Sequence, residues 1–93
     1  MLHKMFTVLD QMAKAHLPPF VMPNEEMAMR TFGDCVNDPK HRFGEHPEDY
    51  TLIVLGEWDD NTGRFLQYDI PEVLGLGTKF VRSKFGNGEK EDE

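Results

Sequence analysis

The stretch TLIVLGEWDDNTGRFLQYDI, residues 51–70, contains the strongest fold signal in the chain. Thr51 to Gly56 is a nearly continuous apolar run and reads as a central strand. Asp59-Asp60-Asn61-Thr62-Gly63 is a turn, with Gly63 placed for a left-handed position and a bulge. Phe65 to Ile70 is the returning strand. Trp58 and Phe65 therefore flank a β-hairpin.

On the N-terminal side of this hairpin, Pro39 to Asp49 is a polar loop, and before it lies one clear helix. Asn24 is a good N-cap, and Glu25 and Glu26 in the first turn suit the helix dipole. Met29, Phe32 and Val36 follow at helical spacing, and Asn37-Asp38-Pro39 ends the element. Towards the N-terminus, Met5 to Asp10 (MFTVLD) reads as a strand. Gln11 to His16 forms a helical turn or a loop. Pro18-Pro19 forces extended backbone, so Phe20-Val21-Met22 continues as a short edge strand. Beyond the hairpin, Pro71 to Gly77 fits a single helical turn, and Lys79-Phe80-Val81 one more short strand. The order is β–β–α–β–β with room for one more strand. It predicts an α+β fold, a small antiparallel or mixed sheet with one main helix packed on one face.

Ninety-three residues suit a single domain. We assign 1–86 to it and read 87–93 as a disordered acidic tail. One cysteine, Cys35, excludes an internal disulfide and fits a reducing compartment. No stretch is long enough to span a bilayer. The formal charge is −7. Glu89 to Glu93 contributes −3, which leaves −4 on the body. Thr78 to Gly86 carries Lys79, Arg82 and Lys84 and no acid. An acidic body argues against a protein that coats nucleic acid by charge. It favours a protein partner or a local basic patch.

A single helix covers only one face of strands that are apolar on both. The other face is expected to expose Leu52, Val54, Leu66 or Tyr68, and a homodimer through the sheet or its edge would cover them. The competing expectation is that Gln11–Pro19 and Pro71–Gly77 cover that face.

Enzyme chemistry is hard to build from these residues. Cys35 sits late in the helix and reads as a small core residue rather than a nucleophile served by His41 or His46. Cys35, His41 and His46, with Asp34 and Asp38, lack the paired spacing of a zinc site. Asp59, Asp60, Asn61 and Gly63 are explained by a hairpin turn and do not match a calcium loop. Gly75-Leu76-Gly77 is not a phosphate loop, because no strand is expected to run into it and no helix N-terminus to follow. No cofactor and no metal are expected. Single-strand binders set aromatics beside a basic track. Trp58 and Phe65 beside Arg64, and Phe80 and Phe85 beside Lys79, Arg82 and Lys84, have that interleaving. Lys40, Arg42 and Phe43 form another small group. If the chain touches DNA, Arg64, Lys79, Arg82 and Lys84 contact phosphates, and Trp58 or Phe80 stacks.

Several strings carry a resemblance. MFTVLD, LPPF at Leu17–Phe20, AMRTFGDCVNDP at Ala28–Pro39, HPEDYTL at His46–Leu52 and LGEWDDNTGRF at Leu55–Phe65 resemble, in this order and spacing, the small nonstructural protein of gokushoviruses. These are microviruses, tiny single-stranded DNA phages. The resemblance runs from Met5 to Gly77 and is most specific at Arg30–Phe32, Val36–Pro39 and Pro47–Tyr50. It implies a host-cytoplasm protein, absent from the mature capsid, that assists viral DNA synthesis and the switch to making and packaging single strands. It carries no binding residues with it. The chain then has two readings. One is a dimeric accessory factor that binds single-stranded DNA or the replication and packaging machinery. The other is a protein-interaction module that modulates a phage or host replication or packaging protein without touching DNA.

Overall fold

A computed structural model describes residues 1–82. Lys84, Phe85 and the tail at 87–93 lie outside the described residues. The strands are β1 (Leu2–Asp10), β2 (Ala15–His16), β3 (Phe20–Met22), β4 (Tyr50–Asp59) and β5 (Phe65–Leu76), and the helices are α1 (Glu25–Val36) and the short α2 (Arg42–Glu45). Single 3-10 turns occupy Pro47–Asp49 and Gly77–Phe80. The sheet is antiparallel, in the order β2-β1-β4-β5, and β3 also pairs with β1. The expected α+β fold and its β–β–α–β–β frame are therefore present. β2 is an extra strand, and it and β3 share one edge of β1, with Pro18-Pro19 between them.

The helix forms where its caps lie. The Asn24 side chain accepts from the Met27 N–H at 2.9 Å, and Glu25 and Glu26 follow in the first turn. Ala28, Phe32, Gly33 and Val36 form its buried stripe. This stripe packs on Phe6, Val8, Leu52 and Val54 from β1 and β4. Phe6, Leu52 and Val54 are fully buried, each contributing about 1.5–3 kcal/mol of transfer free energy. All the helical segments gather on this one side of the sheet: α1 touches α2 and the C-terminal 3-10 turn, and the two 3-10 turns touch each other.

Three expectations are corrected. Pro71–Gly77 is not a helical turn: β5 runs on to Leu76, because Ile53 and Val54 pair with Val73 and Glu72. Lys79-Phe80-Val81 is not a strand, because the 3-10 turn Gly77–Phe80 seats Phe80 edge-on against Phe32, ring centres 5.3 Å apart. A strand does run into Gly75-Leu76, although it leads into one 3-10 turn rather than a helix with an anion-binding end. The loop Pro39–Asp49 also holds more order than its polarity implies. His41 caps α2 by accepting from the Phe43 N–H, and Phe43 is buried against Tyr50.

Candidate functional site

Bulges decide which residues face which way. Between Phe6↔Val54 and Met5↔Gly56, β4 spends two residues for one on β1. Leu55 is the extra residue, and it reverses the alternation beyond it. Opposite Leu55, β5 loops out over residues 68–71, since Val54 pairs with Glu72 and Gly56 with Gln67. Gly56 is needed at this point. A Cβ there would run into the Leu66 carbonyl and the Gln67 backbone.

Phe6 and Val8 point at α1, so Thr7 and its cross-strand neighbours point away. Four rows make up that second face. They are Leu9–Thr51–Leu76, Thr7–Ile53–Val73, Val21–Met5–Gly56–Gln67 and His3–Trp58–Phe65. None of these residues carries a formal charge. The centre is closed by its own neighbours: Ile53 is 6% exposed and Thr7, which donates to the Leu17 carbonyl at 2.8 Å, is 1% exposed. The rim is open, with Phe65 66% and Val73 64% exposed. Met5, Leu55, Phe65 and Gln67 line a shallow depression of about 280 Å³. Among the described residues no helix lies over this face.

The second face exists, but it is not made of the residues expected. Leu52 and Val54 are buried under α1. Leu66 shares the row of Lys4 and Glu57 on the helix side, where it is exposed past the helix end. Tyr68 is half-buried there, its hydroxyl accepting from Lys4 Nζ at 2.9 Å and donating to Glu57. Of the expected covers, Ala15–His16 and residues 72–76 instead extend the sheet at its edges, while Leu17 reaches the second face and accepts from Thr7.

The nucleic-acid candidates separate into two groups. Trp58 is half-buried, its ring 5.5 Å from His3, in the same row as the exposed Phe65. Arg64 adjoins Phe65 and lines a depression that it shares with two acidic residues, Glu57 and Asp59. Lys79, Phe80 and Arg82 lie at the other end of β5, on the order of 25 Å away at ~3.3 Å per residue with the looped-out residues discounted. There Lys79 Nζ donates to the Leu74 carbonyl at 2.9 Å, and Arg82 pairs with Asp34 at 2.9 Å. Phe80 packs into the core margin. Sequence reasoning missed Asn37, which clamps this segment. Its amide nitrogen donates to the Gly33 and Phe80 carbonyls, and its oxygen accepts from the Arg82 N–H. The only signal was its place in the string VNDP.

Cys35 is half-buried, and burial, then Asp34 and Asp38, push its thiol up. His41 is spent on its cap. Among the described residues one trio of potential metal ligands forms, His46, Glu48 and Asp49, with ligand atoms within 4.8 Å and two of the three exposed. Cys35 and His41 are not part of it. No helix of the described residues is long and apolar enough to cross a membrane.

Comparison with known proteins gives two matches. A family model described as Phage ORF5 protein matches residues 3–80. Protein ORF5 of Chlamydia phage 1 is 29% identical over 86 residues, covering 86% of this chain and 90% of the relative. No solved structure matches. The two matches span the same region as the strings that carried the gokushovirus resemblance.

Proposed function

The chain belongs to the Phage ORF5 protein family, and on that basis we propose that it is an accessory protein of viral DNA synthesis and genome packaging. It acts in the host cytoplasm, by binding rather than by catalysis. The observation that carries the binding role is the uncharged sheet face with no helix over it among the described residues, closed at its centre and open along its rim at Phe65 and Val73. Such a face suits recognition of another protein surface. Coating of DNA by charge is less well supported, since Lys79 and Arg82 already serve the fold. The replication and packaging machinery is the partner this reading assigns.

A phage genome lacking this chain tests the role. Early double-stranded replicative DNA is expected to accumulate while single-stranded genomes and filled capsids fall. Filled capsids at normal yield would overturn the proposal.

A second reading has its own support. Trp58 and Phe65 share one row, a pair of aromatic rings of the kind on which single-stranded bases stack, and Arg64 is next to Phe65 in the chain. Titration of a labelled oligonucleotide at low and moderate salt tests it. Binding that weakens steeply with salt and is lost in Trp58→Ala supports contact, and no binding at low salt removes it.

A further inference from the structure

We infer that the second sheet face is closed by a second copy of the same chain, the two sheets stacking face to face. The inference deepens the binding role proposed above by naming the first occupant of that surface; the replication machinery then meets a dimer.

Charge selects the occupant. The chain carries −7, so two copies repel almost anywhere they meet. The four rows of the second face are where neither copy brings a charge. A nucleic-acid strand laid along them would find stacking surfaces but, within the rows, no cation for its phosphates. A like face suits them better: the exposed rim side chains Val21, Phe65 and Val73 pack against their counterparts, with the sheets roughly 10 Å apart.

The face is favoured over the free edge of β5. That edge is blunted by Pro71, which has no N–H to offer, by the carboxylates Asp69 and Glu72, and by the loop-out at 68–71. These features discourage strand addition at the edge and leave the face as the route of association.

Area sets the strength. Three strands ~4.8 Å apart and four rows ~6.8 Å apart give a footprint of about 400 Å², an upper bound because Thr7, Ile53 and Thr51 at its centre are already buried. A standard complex buries about 800 Å² on each partner. The dimer is therefore a weak, concentration-dependent one.

Sedimentation equilibrium of the purified full chain over a wide concentration range tests the inference. The weight-average mass is expected to rise from monomer towards dimer. Val73→Lys and Phe65→Lys place a cation on exposed rim positions without disturbing the core. Each should weaken association about tenfold or more with an unchanged circular dichroism spectrum. A monomer mass at every concentration overturns the inference, as does a dimer indifferent to both substitutions. So does a monomer whose Phe65→Lys variant loses oligonucleotide binding, which would give the face to DNA. Because the assay uses the purified chain alone, its failure leaves the packaging role standing, and a normal yield of filled capsids leaves the dimer standing.

Discussion

Replacing Asn37 with alanine is expected to lower the unfolding free energy by about 2–3 kcal/mol, through three hydrogen bonds of about 1 kcal/mol each. The carboxamide nitrogen donates to the Gly33 carbonyl at 2.6 Å and the Phe80 carbonyl at 2.9 Å. The oxygen accepts from the Arg82 N–H at 2.8 Å. Water reaches the exposed Arg82 N–H and recovers part of that bond, which brings the estimate below the simple total. A domain of this size has roughly 4–12 kcal/mol in hand, so the loss is a large share. Asn37→Asp keeps the acceptor but removes both donors and turns a carboxylate towards two carbonyl oxygens, so it should cost more than alanine. Arg82→Ala should cost at most about 0.5 kcal/mol, because the Arg82–Asp34 pair is more than half exposed on both sides and solvent screens it. Urea unfolding followed by circular dichroism provides the measurement, with the slope unchanged. Asn37→Ala within about 0.5 kcal/mol of the parent, or Arg82→Ala as costly as Asn37→Ala, would refute the reasoning. The C-terminal segment would then be held by surface charge or by Phe80 alone.

Other expectations are more local. Lys14 has a φ of 56°, a left-handed conformation that costs a lysine about 1 kcal/mol; Lys14→Asn should recover up to that much in the same urea assay. Gly56→Ala forces β5 away from β4 and should cost about 2 kcal/mol or more, seen as a lower melting temperature. Cys35 should react with iodoacetamide more slowly than an unhindered thiol at the same pH, since burial and then Asp34 and Asp38 hold it protonated; a fast reaction would contradict its placement. The Met1 ammonium donates to Asp60 at 2.8 Å, and Asp60 also meets His3 at 2.8 Å. The N-terminus and then His3 hold the Asp60 carboxyl below its ordinary range, and the bond to Asp60 holds the Met1 ammonium above its own. The Asp60 contribution is complete above the ordinary carboxylate pKa and is lost as pH falls through the depressed value. The Met1 contribution is complete below the ordinary amine pKa and is lost as pH rises through the raised value. The difference in stability between the parent and Asp60→Asn should therefore be greatest between about pH 5 and about pH 7 and shrink on both sides. A difference that does not vary with pH would exclude the clasp.

The parts of the fold legible in the sequence are those whose information is local. Asn24 with Glu25 and Glu26 starts α1, and Asn37-Asp38-Pro39 stops it, through groups within a turn of each other. The apolar run from Thr51 and the turn at Asp59–Gly63 specify a hairpin through propensity and turn chemistry alone. The strings that carried the family resemblance were legible for the same reason, as short runs read in order. Which residues face outward was settled only by the assembled sheet. Alternation has a period of two, so the one extra residue at Leu55 sends Trp58 to the face opposite Leu52 and Val54, and nothing local in the run announces that shift. Lys79, Phe80 and Arg82 read as an open basic and aromatic track, yet their partners Leu74, Phe32, Asp34 and Asn37 include residues more than forty positions away. Side chains of that kind are claimed by contacts that exist only once the sheet has folded over the helix.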